Sequence, residues 1–178
     1  MLKRVMLLLQ ILTLLLAVGT EPALAVPPRQ PAAGTALHLA TAAEGDGSSL
    51  VIKTSERKLY YYDSRNNVRV FNIAVGRQGR KWSGVTSISR KVRNPAWAPP
   101  PAIRKDNPKL PAVIGPGPNN PLGVAVLVLG DGTYGIHGTN RDETIGTDAS
   151  YGCFRMHNKD ILALFDKVEI GTTVTVVP

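Results

Sequence analysis

The chain has 178 residues, 43% hydrophobic and 19% charged, with 17 Gly, 14 Pro and a single Cys, and its 21 Lys and Arg exceed its 13 Asp and Glu for a net charge of +8. This composition supplies one buried core and is too short for two ordinary domains, which excludes intrinsic disorder, collagen and coiled coil. The positive charges are scattered and form no nucleic-acid-binding arm. Their surplus favours acidic partners, whether nucleic acid, anionic membrane or a carboxylate-bearing polymer, without choosing among them.

The first twenty-five residues narrow that choice. Lys3 and Arg4 precede the 14-residue stretch Val5 to Val18, apolar except for Gln10 and Thr13, and Ala23-Leu24-Ala25 follows with small residues at alternate positions. This is the tripartite pattern of a secretory signal, and the stretch is shorter than the ~20 residues of a bilayer-spanning helix, so cleavage after Ala25 is expected and no stable membrane span remains. The mature chain then has 153 residues, with 19 basic and 12 acidic side chains, net +7. An exported protein rarely meets nucleic acid, which leaves the periplasm or cell wall as its destination. No Cys stands directly after the cleavage point, so no lipoprotein anchor is expected. With Cys153 alone, an internal disulfide is excluded.

Residues 26–48 are rich in Pro, Ala and Gly without apolar periodicity, which predicts a flexible linker; His38 there has no partner motif. From Ser49 the chain turns to short β-branched and aromatic runs. Strands are predicted over Leu50–Lys53, Lys58–Tyr62, Val68–Val75, Val85–Ser89, Val124–Leu129, Tyr134–His137 and Thr173–Val177. Nine prolines between Asn94 and Pro121 forbid ladder pairing and predict a long ordered loop across one end of the sheet. After Asn158, taken as the N-cap, Ile161, Leu164, Phe165 and Val168 fall at i, i+3, i+4 and i+7, which predicts one short helix with one buried face, ended near Gly171. The fold class is mainly β with a single short helix near the C-terminus.

The chemistry concentrates between Tyr134 and Met156. A thiol attacks a carbonyl as the thiolate, so it needs a base or cation nearby and peptide N–H groups aimed at the developing oxyanion. His137, at a strand end, and Cys153, in a Gly-containing turn, are the candidates. Gly152 lets the main chain approach a substrate, so that the N–H groups of Tyr151, Gly152 and Cys153 can converge. On spacing alone, a His and a Cys sixteen residues apart fit a buried thiol beside a hydrogen-bonded core histidine better than a catalytic pair. A zinc site built from His137, Cys153 and His157 has only its three-ligand count in its favour; a solvated surface position is the commoner one for His157. Trp97 in the proline-rich stretch is either a lid over substrate or packing under that loop.

His137-Gly-Thr-Asn, Ser150-x-Gly152-Cys153-x-Arg155-Met and the following Asn-x-Asp resemble the L,D-transpeptidase catalytic domain, also called YkuD-like. Val75-Gly76, Gly84-Val-Thr-Ser-Ile-Ser, Asn94-Pro-Ala-Trp97, Gly115-Pro-Gly-Pro-Asn-Asn-Pro-Leu122-Gly and the closing run Val168 to Val177 match in the same order, so the resemblance covers Ser49 to Val177 within a catalytic domain at 49–178. It implies a β-sandwich-like fold and a cysteine acyltransferase that acts on peptidoglycan stem peptides without metal or organic cofactor. Cys153 would be the nucleophile and His137 its base, with Ser150, Tyr151 and Gly152 shaping the turn and the oxyanion site. Arg155 would organise the site or face a substrate carboxylate, against the alternative of a structural salt bridge. The implied reaction expels the terminal D-Ala of a tetrapeptide, holds a thioester and passes it to an amine of another stem or of a wall-attached protein, with carbapenems as inhibitors. Two rivals are an L,D-carboxypeptidase using water and a non-catalytic peptidoglycan-binding module. A secreted cysteine protease of unrelated fold fits the flanking motifs poorly. The family usually has His where this chain has Tyr151. A phenol of pKa ~10 is no base near neutrality, so the change is tolerated only if the position holds substrate or a hydrogen-bond network.

Overall fold

Alternation sets the first two strands. In β1 (Ser49–Lys53) and β2 (Lys58–Tyr62) every second residue is buried, sending Leu50, Ile52, Leu59 and Tyr61 into the core. Each such side chain contributes about 1.5–3 kcal/mol on leaving water. The structure is a computed structural model that describes residues 47–178; the expected signal at 1–25 and nearly all of the expected linker lie outside the described residues.

The remaining elements, in order, are β3 (Val68–Asn72), β4 (Val75–Gly76), β5 (Gly84–Arg93), α1 (Pro101–Asp106), β6 (Ala125–Leu129), β7 (Tyr134–His137), a 3-10 turn (Asp142–Thr144), β8 (Asp148–Ser150), β9 (Phe154–Arg155), α2 (Asn158–Phe165) and β10 (Thr173–Val177). Eight strands form one curled sheet in the order β3-β2-β1-β10-β5-β6-β7-β9, and β4 pairs with β8 separately. Neighbours are antiparallel except β1 with β10 and β7 with β9, which are parallel. The mainly β class is therefore as expected. Ile161 and Leu164 of α2 are buried and share the core with Leu127 of β6 and Ile136 of β7. Among the described residues, no helix is long and apolar enough to cross a membrane.

Four details depart from the sequence reading. The run Val68–Val75 is two strands, because Ala74 leaves the sheet edge to bond both ways with Arg155, its N–H donating at 2.9 Å and its carbonyl accepting at 3.0 Å. The strand expected at Val85–Ser89 continues to Arg93. A bulge between Ile88 and Arg90 shifts its register, which hides the alternation that sequence periodicity relies on. The proline-rich loop contains a second helix, α1, with Pro101 in its first turn, where the missing N–H has no intrahelical partner to lose. His157, not Asn158, occupies the N-cap of α2. The Asn158 amide instead accepts from the N–H groups of Thr139 (3.1 Å) and Val124 (3.3 Å) and donates to Thr139 O (2.9 Å).

Candidate active site

Strand register brings the two chemical residues together. In the parallel pair β7–β9, Ile136 faces Phe154 and His137 faces Arg155. Side chains alternate along each strand, so His137 lies on the same face as Arg155 and, two residues earlier, Cys153. Antiparallel β6 adds Val126 opposite His137 and Val128 opposite Gly135 on that face. His137, Cys153, Gly135, Val126 and Val128, with Trp97 and Leu122, line a cavity of about 500 Å³. A second cavity of about 240 Å³ adjoins it and is reached by the same Cys153, His137 and Trp97, with Ser150, Tyr151 and Arg155 on its wall.

The turn that carries Cys153 is held from within. Ser150, buried, donates its hydroxyl to Cys153 O at 2.5 Å and accepts the Gly152 N–H at 3.0 Å. Outside it, Trp82 Nε1 donates to Gly152 O at 3.0 Å, and the Trp82 ring stacks on Tyr134 with centroids 4.9 Å apart. Gly152 has φ +120°, and a Cβ there would stand 2.5 Å from Tyr134 Cε1, so conformation and space both demand glycine. Three amides converging on an oxyanion is thus more than this turn offers. The Gly152 N–H is engaged by Ser150, which leaves Tyr151 and Cys153 as main-chain candidates.

His137 is 4% exposed, and its Nδ1 lies 2.6 Å from Gly138 O. A carbonyl only accepts, so Nδ1 carries the proton and Nε2 keeps its lone pair. Burial lowers the imidazole pKa from an ordinary 6.5 to about 4, against the opposing pull of the Gly138 carbonyl, and the nearby Arg155 charge lowers it further. The glycine after His137 has a packing reason, since a Cβ at Gly138 would meet Asn158 Oδ1 at 2.2 Å. Cys153 keeps partial exposure at the cavity. Burial pushes its thiol pKa up, while the Gly135 main chain and the Arg155 charge pull it back.

Arg155 is partly buried, reaches Thr144 Oγ1 at 3.4 Å and, among the described residues, forms no salt bridge. Burial, then the Arg141 charge, lowers its pKa. Tyr151 OH donates to Asp106 Oδ2 at 2.5 Å. That bond, then burial, raises the phenol pKa, and the Asp106 carboxyl is lowered first by Tyr151 and then by Arg77. His157 pairs with Asp142 at 3.0 Å, and the described residues hold no group of three side chains suited to a metal. Sequence reasoning missed Trp82, Arg77 and Asp106: an indole and two surface charges carry no motif, and only the folded chain sets them beside the turn.

Residues 47–176 match the family model described as YkuD, L,D-transpeptidase catalytic domain. The chain belongs to that family. It is 41% identical over 135 residues to the probable L,D-transpeptidase ErfK/SrfK of Escherichia coli K12, and 40% identical over 134 residues to the probable L,D-transpeptidase YbiS of the same strain. These alignments cover 72% and 70% of this chain and 43% of each relative, so the chain spans less than half the length of either. The fold is shared with L,D-transpeptidase 3 of Mycobacterium tuberculosis, solved in complex with a faropenem-derived adduct. There the TM-score is 0.59 at 13% identity, over 75% of this chain and 61% of that one.

Proposed function

We propose that residues 49–178 are the catalytic domain of an exported L,D-transpeptidase that acts on peptidoglycan stem peptides in the periplasm or cell wall. The observation that carries this reading is His137: protonated at Nδ1 by its bond to Gly138 O, it is neutral near pH 7, with Nε2 free as a base on the face that also holds Cys153. In the proposed reaction Nε2 takes the thiol proton as Cys153 Sγ attacks the carbonyl of the third stem residue. The main-chain N–H groups of Tyr151 and Cys153 receive the oxyanion. Collapse breaks the peptide bond, the proton returns to the departing amine of D-Ala, and a thioester remains on Cys153. An amine of a second stem, or of a wall-attached protein, attacks it, gives its proton to His137 and restores the thiol. Arg155, without a salt-bridge partner among the described residues, receives a carboxylate of the stem. No step calls for a metal or organic cofactor.

The test is incubation of residues 49–178 with purified disaccharide tetrapeptide and, separately, with imipenem, read by intact mass and by product mass. A thioester or carbapenem adduct on the wild type and none on Cys153→Ala is the expected result. A cross-linked product indicates an amine acceptor and a shortened stem alone indicates water. An adduct that persists in Cys153→Ala, or no adduct at all, would overturn the assignment.

A further inference from the structure

Residues 94–121 form a strap along the smaller cavity, to which Trp97, Pro100, Ala102 and Ile103 contribute wall. Its middle is α1, none of whose residues is buried, so apolar burial does little to hold it down. Several bonds tie the strap to itself: Trp97 and Ile114 exchange main-chain hydrogen bonds at 2.8 Å, and the Asn120 amide donates to Pro95 O at 2.7 Å and to Gly115 O at 3.0 Å. Among the described residues, the side-chain hydrogen bonds that cross from α1 to the body of the domain meet at one atom, Asp106 Oδ2. It accepts from Tyr151 OH at 2.5 Å and from the Arg77 guanidinium at 2.9 Å. The Arg77 guanidinium also lies 4.0 Å from the Tyr151 ring centroid, and the Arg77 N–H donates to Ser150 O at 3.0 Å. The end of α1 is thereby tied to the turn that ends at Cys153.

We propose that Tyr151 is a positioning residue, which with Arg77 clasps Asp106 and holds the strap against the cavity beside Cys153, so that the clasp sets how well that cavity binds substrate. This rests on the proposed function for what binds there, but not for the clasp itself. The departure from the family's usual His acquires a physical sense: a phenol carries its hydroxyl farther from the main chain than an imidazole carries its distal nitrogen, and here it reaches across to α1. Arg77 and Asp106 are both substantially exposed, and exposed charged contacts are individually weak and screened by salt. The clasp therefore biases the strap toward the closed position while letting it open for entry and release.

Trypsin reads the opening directly, because the Lys109–Leu110 peptide bond lies in the strap three residues beyond Asp106, and neither Lys109 nor Leu110 is altered in the variants. Cleavage there, followed by mass in wild type, Tyr151→Phe, Asp106→Asn and the double variant, is expected to be about fivefold faster in each single variant and no faster in the double, with the ratio to wild type falling toward one at about 1 M NaCl. Asp106→Asn should also raise KM for the tetrapeptide about fivefold while changing kcat less than about twofold, a split that general destabilisation would not produce. Cleavage of Tyr151→Phe at the wild-type rate, or additive single effects, would overturn the clasp. Proteolysis needs no turnover, so failure of the adduct experiment would reject the proposed function and leave this result to stand or fall alone.

Discussion

His137 makes a prediction whose size follows from its surroundings. The folded protein keeps this imidazole neutral down to about pH 4, whereas in the unfolded chain it takes a proton near its ordinary 6.5. Between those values the unfolded state binds more protons, so the stabilisation is fully present above 6.5 and is lost as pH falls toward 4. At about 1.4 kcal/mol per pH unit the loss comes to about 3 kcal/mol, a large fraction of a typical domain's stability. His137→Gln removes the titration while its amide can still donate to Gly138 O. Urea unfolding of both proteins at several values between about pH 7.5 and pH 4.5 should show the wild type losing stability more steeply, the gap changing by about 2–3 kcal/mol across the series. Carboxylates with lowered pKa values, such as Asp106 and Asp148, act alike in both proteins and cancel in the comparison. Parallel stability curves would show that His137 is not buried as a neutral imidazole.

Two further outcomes follow from the turn. Burial raises the Cys153 thiol above 9.0, so iodoacetamide should modify native Cys153 more slowly than the urea-unfolded chain at about pH 8, with a rate still climbing beyond about pH 9; a plateau below about pH 8 would refute this. Ser150→Ala leaves Cys153 O and the Gly152 N–H without their shared partner, which should cost about 1–3 kcal/mol in urea unfolding and slow adduct formation with imipenem at least about tenfold, and Ser150→Thr should recover much of both; an alanine variant acylated at the wild-type rate would refute the role of that hydroxyl.

The parts of the fold legible in the sequence are those governed by a short repeat. β1, β2 and β10 match the expected strands because their apolar residues alternate about one buried face, and α2 matches because its apolar residues recur every three or four positions; β7 also matches, although both of its faces are buried. β8 and β9 are too short to hold a period, and they exist because β4, Ala74 and β7 offer edges to pair with. α1 hides among prolines that ordinarily mark the absence of structure. At the site, His137 and Cys153 are visible because their motif residues are local. The Trp82 bond to Gly152 and the Asp106 bond to Tyr151 join residues 70 and 45 positions apart, and no local pattern encodes such contacts.

The electrostatics of the two central residues point to one order of events in the proposed reaction. Burial moves the His137 imidazole down and the Cys153 thiol up, so both shifts oppose a resting thiolate–imidazolium pair. Both shifts favour a neutral thiol beside a neutral imidazole at rest. The nucleophile becomes strong only as a bound carbonyl begins to accept charge, when the main-chain N–H groups beside Cys153 stabilise the oxyanion and the free Nε2 of His137 takes the proton. A neutral resting thiol is also a poor target for adventitious electrophiles and oxidants, which attack thiolates first. For a chain whose single cysteine is expected to work outside the cell's reducing interior, that restraint has value. The Ser150 and Trp82 bonds then matter because they fix the Gly152 and Cys153 main chain before charge develops, and amides already in place have no reorganisation left to oppose the attack.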